Sequence, residues 1–166
     1  MASWEVHVIF EGETDPVVIR DSEVIKKIPV IVRAIEQENS DWEKEGVQIT
    51  DPIFIPFDKK TGEFFLSTIQ KYEYPSIDVR KEASLFPEAN EMSLEKLKKV
   101  IELASFFECR EYMDCIGLVI AKKLDPLSLE EFTAFMGVSI NRIGQMDEDS
   151  IWMHPPVVVF ERDQDE

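Results

Sequence analysis

An α+β fold is predicted for this 166-residue chain by three features. Its opening residues alternate apolar and polar side chains as a strand does, its last half repeats apolar residues at helical spacing, and a polar, proline-bearing stretch parts the two. The expected organisation is an α/β half over 1–74, with a small three-stranded sheet and helices, and a polar linker over 75–92. A helical region over 93–153 and a flexible acidic tail over 154–166 follow.

Each element has its own signal. Trp4 to Phe10 sets Val6, Val8 and Phe10 on one face against Glu5 and His7 on the other, as a half-buried strand should. Gly12 to Pro16 is turn chemistry, and Val17 to Ile19 returns as the second arm of a hairpin. Asp21 and Ser22 can cap a short helix over 22–27. Pro29 is tolerated only in a first turn, so it opens a second helix to about residue 38, with Ile31, Val32 and Ile35 inward. The polar run from Asn39 to Gly46 reads as a loop.

Ile53 to Phe57 reads as a short strand with Pro56 at its end or edge. Phe65, Ile69 and Tyr72 mark a helix that stops before Pro75. Ser93 caps the clearest helix, whose stripe is Leu94, Leu97, Ile101 and Ala104, widened by Val100, Leu103 and Phe107. A second helix covers about 110–124. Ser128 and Glu131 form a capping-box pattern that starts a third, ending at Gly137. A weaker helical segment spans Ile140 to Trp152.

Composition narrows the function. With 44% hydrophobic and 31% charged residues the chain is globular in character. Its 18 basic and 34 acidic side chains give a net charge of -16, which repels phosphate and argues against nucleic-acid and anionic-membrane partners. Protein partners are expected instead. The opening residues lack a basic n-region and an apolar h-region, so no signal peptide is expected, and two scattered cysteines suit a reducing cytosolic or nuclear setting.

Chemistry-bearing motifs are sparse. His7 and His154 stand alone, Cys109 and Cys115 have no metal spacing, and GxSxG, HExxH and glycine-rich phosphate loops are missing. Arg110 adjoins Cys109 without marking it as a nucleophile. A non-enzyme without metal or cofactor is the expectation. The conspicuous feature is apolar excess late in the chain. Ile116 to Ala121, then Phe132, Phe135, Met136, Val138, Ile140 and Ile143, exceed what a short helical region can hide, and either pack on the first half or form a groove for a partner.

The run Val100-Ile-Glu-Leu-Ala-Ser-Phe-Phe-Glu-Cys-Arg-Glu-Tyr-Met-Asp-Cys-Ile-Gly-Leu-Val-Ile-Ala121 resembles, without gaps, the I-L-A-A-N-Y-L-D-I-K-x-L-L-D helix pair of the Skp-type (S-phase kinase-associated protein) adaptors of SCF ubiquitin ligases. Leu127-Ser-Leu-Glu-Glu-Phe-Thr-Ala-Phe-Met-Gly-Val138 is similar to that family's T-P-E-E-I-R-x-x-F-N-I, and Trp152 to its late tryptophan. The first half resembles the family's BTB/POZ-like fold in element order, with Ile55-Pro56 where the family has L-P and 75–92 where it has a variable acidic insertion. This chain has Met-Gly in place of the asparagine of F-N-I, a shorter stretch from Phe135 to Trp152, and Trp152-Met153 in place of a Trp-Cys ending.

The resemblance implies a non-catalytic adaptor, cytoplasmic and nuclear, that joins a cullin scaffold to F-box substrate receptors in the ubiquitin-conjugation pathway. Ser105 and Phe106 match the Asn-Tyr pair that faces the cullin. Ile120, Leu124, Phe132, Phe135, Met136, Val138 and Trp152 would form the F-box face. The alternative keeps the fold as a structural interaction module, self-associating or joining a scaffold without ubiquitylation, with Ile9 and Phe106 available for a homodimer.

Overall fold

The computed structural model describes residues 2–76 and 80–137. Its sheet has three strands in the order β2-β1-β3. β1 (Ser3–Phe10) and β2 (Val17–Ile19) form the expected hairpin, with Val6 opposite Ile19 and Val8 opposite Val17. Val6, Val8 and Phe10 are buried, so the alternation read from sequence is the core face of β1.

β3 (Gly46–Ile55) runs parallel to β1 and is longer than the expected 53–57. Val6 pairs with Ile49 but Val8 pairs with Ile53, so Thr50, Asp51 and Pro52 together stand against His7. The irregularity accommodates Pro52, which cannot donate to a ladder. Parallel neighbours need a crossover, supplied here by α1 (Ser22–Lys26), α2 (Pro29–Glu38) and α3 (Trp42–Glu45). Asp21 caps α1 by accepting the Glu23 N–H at 2.9 Å, and Pro29 opens α2.

The 39–46 loop is corrected by α3. Trp42 is buried there, and its carbonyl accepts the Trp4 indole N–H at 3.2 Å, an anchor that no local period announces. Gly46 follows at φ +86°, where a Cβ would strike the Ser3 backbone.

α4 (Lys59–Thr68) is capped by Asp58, whose carboxylate accepts the Thr61 N–H at 3.1 Å and the Thr61 hydroxyl at 2.8 Å. The Phe10 ring lies over Gly62, where a Cβ would overlap it. At the far end, Lys27 Nζ donates to the carbonyls of Ile69 and Gln70, each at 3.4 Å, and Gln70 Nε2 donates to Asp21 at 2.8 Å.

The stretch expected as a polar linker carries core residues in its later part. A 3-10 turn (Ala83–Leu85) and α5 (Pro87–Asn90) bury Ala83, Phe86 and Ala89. The Tyr72 hydroxyl donates to the Glu88 carboxylate at 2.9 Å and accepts the Ala89 N–H at 3.0 Å. A few apolar anchors at irregular spacing suffice to dock a segment whose composition is polar.

α6 (Leu94–Phe106) starts at the Ser93 cap and packs on α4. It ends with Glu108 at φ 61°, the Glu108 N–H on the Ser105 carbonyl and the Cys109 N–H on that of Ala104. This is a Schellman closure with glutamate where glycine is usual. α7 (Arg110–Leu124) follows. A continuous buried cluster runs from Val6 to Val119, and the chain divides into compact units at Met1–Lys123 and Leu124–Glu166. The division falls at the end of α7. In the second unit α8 (Leu129–Met136) begins with the Ser128/Glu131 capping box and closes on Gly137 at φ 67°. Among the described residues no helix is long and apolar enough to cross a membrane.

Candidate protein-docking faces

The residues singled out from sequence fall on separate elements. Phe132, Phe135 and Met136 lie on α8, Ile120 and Leu124 lie one turn apart on α7, and Val138 and Trp152 lie outside the described residues.

On α8 the spacing 129, 132, 136 sets three apolar side chains along one face of the helix. Leu129 is 62% exposed, Phe132 39% and Met136 53%. Thr133 is instead buried, its hydroxyl donating to the Glu130 carbonyl at 3.0 Å, and Phe135 is half-buried. Leu129 was not singled out from sequence, although its spacing from Phe132 and Met136 was visible there. Carbon surface left in water over two turns costs free energy that a partner's apolar side chains would recover.

The α7 residues behave differently. Ile116 and Val119 belong to the core of the first unit, whereas Ile120 and Leu118 are only partly buried against it. The apolar run 116–121 is thus split, with Ile116 and Val119 interior, Leu118 and Ile120 half-buried and Ala121 exposed. Of the two alternatives read from sequence, packing on the first half therefore holds for Ile116 and Val119.

Ser105 and Phe106 sit at the end of α6, both exposed, Phe106 by 39%. The Phe106 ring lies 5.9 Å from that of Phe57 and 5.5 Å from that of Phe107. Beside them Ser105 lines a shallow cavity of about 530 Å³ with Pro29, Glu108, Arg110 and Met113. Phe54, exposed on β3, was also missed from sequence; the strand period sets it opposite Ile53 and Ile55. Ile9, considered for a dimer, is half-buried.

Among the described residues no group of three or more His, Cys, Asp or Glu side chains could hold a metal ion. Burial pushes both the Cys109 and Cys115 thiols up to about 12, and the Cys109 thiol donates to the Lys27 carbonyl at 3.3 Å. A thiol so placed holds almost no thiolate at neutral pH and is a poor nucleophile. His7 is 2.7 Å from the Glu5 carboxylate on the solvent side of β1, an arrangement that suits a surface pair.

No protein-family model matches this chain, and no curated protein sequence matches it at a significant level.

Proposed function

We propose that this protein is a non-catalytic adaptor with a BTB/POZ-like first half, linking a cullin scaffold to F-box substrate receptors of an SCF-type ubiquitin ligase. The observation that carries the reading is the exposed row on α8, where Phe132 and Met136 stand at positions the family resemblance assigns to F-box contact and Leu129 extends the row. An amphipathic partner helix covers such a row with its own apolar face. The exposed Phe106 ring, beside Ser105, occupies the position assigned to the cullin. The mechanism is proximity: two faces of one small protein hold a bound substrate near the ubiquitin-transferring enzyme, and no bond is made or broken by the adaptor.

The test is direct. Phe132→Asp puts a charge at the centre of the α8 row and is expected to weaken capture of an F-box helix pair by at least about tenfold, the scale of one large apolar anchor. Phe106→Ala is expected to weaken binding of a cullin N-terminal fragment and leave F-box capture unchanged. A chain that binds neither partner but runs as a dimer by light scattering overturns the adaptor in favour of a self-associating module.

A further inference from the structure

A third feature lies where the start of α4 meets the start of α6. A cavity of about 340 Å³ has Phe64 and Met92, both half-buried, among its lining, with Lys60, Lys96 and Lys99 exposed around it. Lys60 and Phe64 share a face of α4 at i,i+4 spacing, and Lys96 and Lys99 share a face of α6 at i,i+3 spacing. The volume is within the range of ligand-binding clefts.

The charge of this spot is opposite to that of the molecule. Acidic side chains outnumber basic ones 34 to 18, and Lys26, Lys27 and Lys71 each pair with a glutamate. Among the described residues Lys60, Lys96 and Lys99 make no such close ion pair, although the Lys99 charge favours the ionised Asp58 carboxylate. The carboxylate that lines the cavity, Asp58, is engaged in capping α4 through its two bonds to Thr61. Three lysines and one carboxylate thus line the same cavity, over apolar carbon.

We propose that this cavity docks an acidic peptide segment bearing one large apolar residue, whose carboxylates meet the three lysines and whose apolar side chain lies against Phe64 and Met92. Each half of the site rejects a simpler ligand. An apolar peptide leaves the lysines unanswered, and a bare polyanion leaves the apolar lining wet. Nucleic acid offers the charge but meets a chain of net -16. This site is lined by residues other than the α8 row and the Phe106 pair, so it stands or falls independently of the adaptor reading.

The experiment uses the full chain and a short fluorescent peptide of Asp and Glu around one central Phe, read by anisotropy. Saturable binding is expected, weakened at least about tenfold by Lys60→Glu/Lys96→Glu/Lys99→Glu and by raising ionic strength through the physiological range. Replacing the central Phe by Ala is expected to weaken binding about tenfold. If the triple variant fails to fold, Lys96→Gln and Lys99→Gln singly are each expected to weaken binding about threefold. Absence of saturable binding overturns the proposal, as does affinity indifferent to these substitutions. So does a peptide lacking the Phe, or a single-stranded oligonucleotide of equal charge, that binds as tightly.

Discussion

Thr68 on α4 and Tyr112 on α7 share a buried hydrogen bond of 2.7 Å between hydroxyls. The Thr68 hydroxyl also lies 2.8 Å from the Phe64 carbonyl, to which it donates. Its single proton is therefore spent, so Tyr112 is the donor to Thr68 Oγ1. This assignment makes the two obvious substitutions unequal. Tyr112→Phe removes the donor and leaves Thr68 still bonded to Phe64, at a cost of about 0.5–1.5 kcal/mol for one hydrogen bond. Thr68→Val keeps the shape of the side chain but strands a phenolic O–H inside the core, where an unsatisfied donor costs about 1–3 kcal/mol. In the double variant both polar groups are gone, and its cost should return toward that of Tyr112→Phe alone. The cycle then shows a coupling of about 1–2 kcal/mol.

Urea titration followed by circular dichroism measures all four proteins, and for a domain of this size each kcal/mol corresponds to about 2–4 °C in Tm. Thr68→Val no worse than Tyr112→Phe, or strictly additive costs, refutes the donor assignment. The same curves test the architecture. Because α4 and α7 belong to one compact unit that includes residues 80–92, their loss should be a single transition; two separated transitions would restore the 75–92 stretch as a true linker.

Gly62→Ala places a methyl group against the Phe10 ring and should cost about 1–3 kcal/mol by overpacking; Phe10→Leu in that background should recover part of the lost urea midpoint. Glu108→Gly relieves a left-handed backbone at φ 61° and should raise Tm by about 2 °C, whereas Arg33→Ala, which removes only the exposed Glu108 ion pair, should leave Tm nearly unchanged. The folded chain holds its two thiol protons to about pH 12, while an unfolded thiol releases its proton near the ordinary value of 9.0. The unfolded chain binds fewer protons in that window, so stability present below about pH 9 should be lost as pH rises toward 12. Cys109→Ala/Cys115→Ala should flatten the fall in urea midpoint. Iodoacetamide at pH 8 should label the native thiols slowly and the guanidinium-unfolded thiols rapidly.

Local chemistry made much of this fold legible. Val6, Val8 and Phe10 alternate because one side of β1 is core, and Asp21, Ser93 and Ser128 each accept the backbone bond that a helix start leaves free. What escaped reading depends on distant neighbours. Trp42 in a run of charges has no period, yet its carbonyl is claimed by Trp4, and β3 extends back to Gly46 because β1 pairs with it through the Pro52 irregularity. The candidate faces show the same limit. Val119 and Phe132 are both apolar residues on amphipathic helices, and only the packing around them buries the first and leaves the second 39% exposed. The three lysines of the α4–α6 cavity are far apart in sequence, at 60 and at 96 and 99, and no spacing rule joins them.

The Phe106 ring, proposed to face a cullin, is the outer part of a chain of aromatic contacts. Phe57 and Phe106 lie 5.9 Å apart, Phe106 and Phe107 5.5 Å, Phe107 and Phe65 5.2 Å, and Phe65 and Tyr112 4.8 Å. Tyr112 then meets Tyr72 at 5.8 Å, which meets Phe86 at 5.0 Å. These rings come from the residues just after β3, from α4 and the stretch that follows it, from the residue after the 3-10 turn, and from the end of α6 and the start of α7, so the contacts tie α4, α6 and α7 to one another. A ring held by two neighbours has little rotamer freedom left to lose on binding, and the ordering cost of about 0.5–1.5 kcal/mol per mobile side chain is largely met during folding. Phe57→Ala tests this, because it removes a support of Phe106 while leaving Phe106 itself in place. If the support matters, Phe57→Ala weakens cullin-fragment binding with no change in F-box capture; if affinity is unchanged, Phe106 acts alone and the aromatic chain serves only the core.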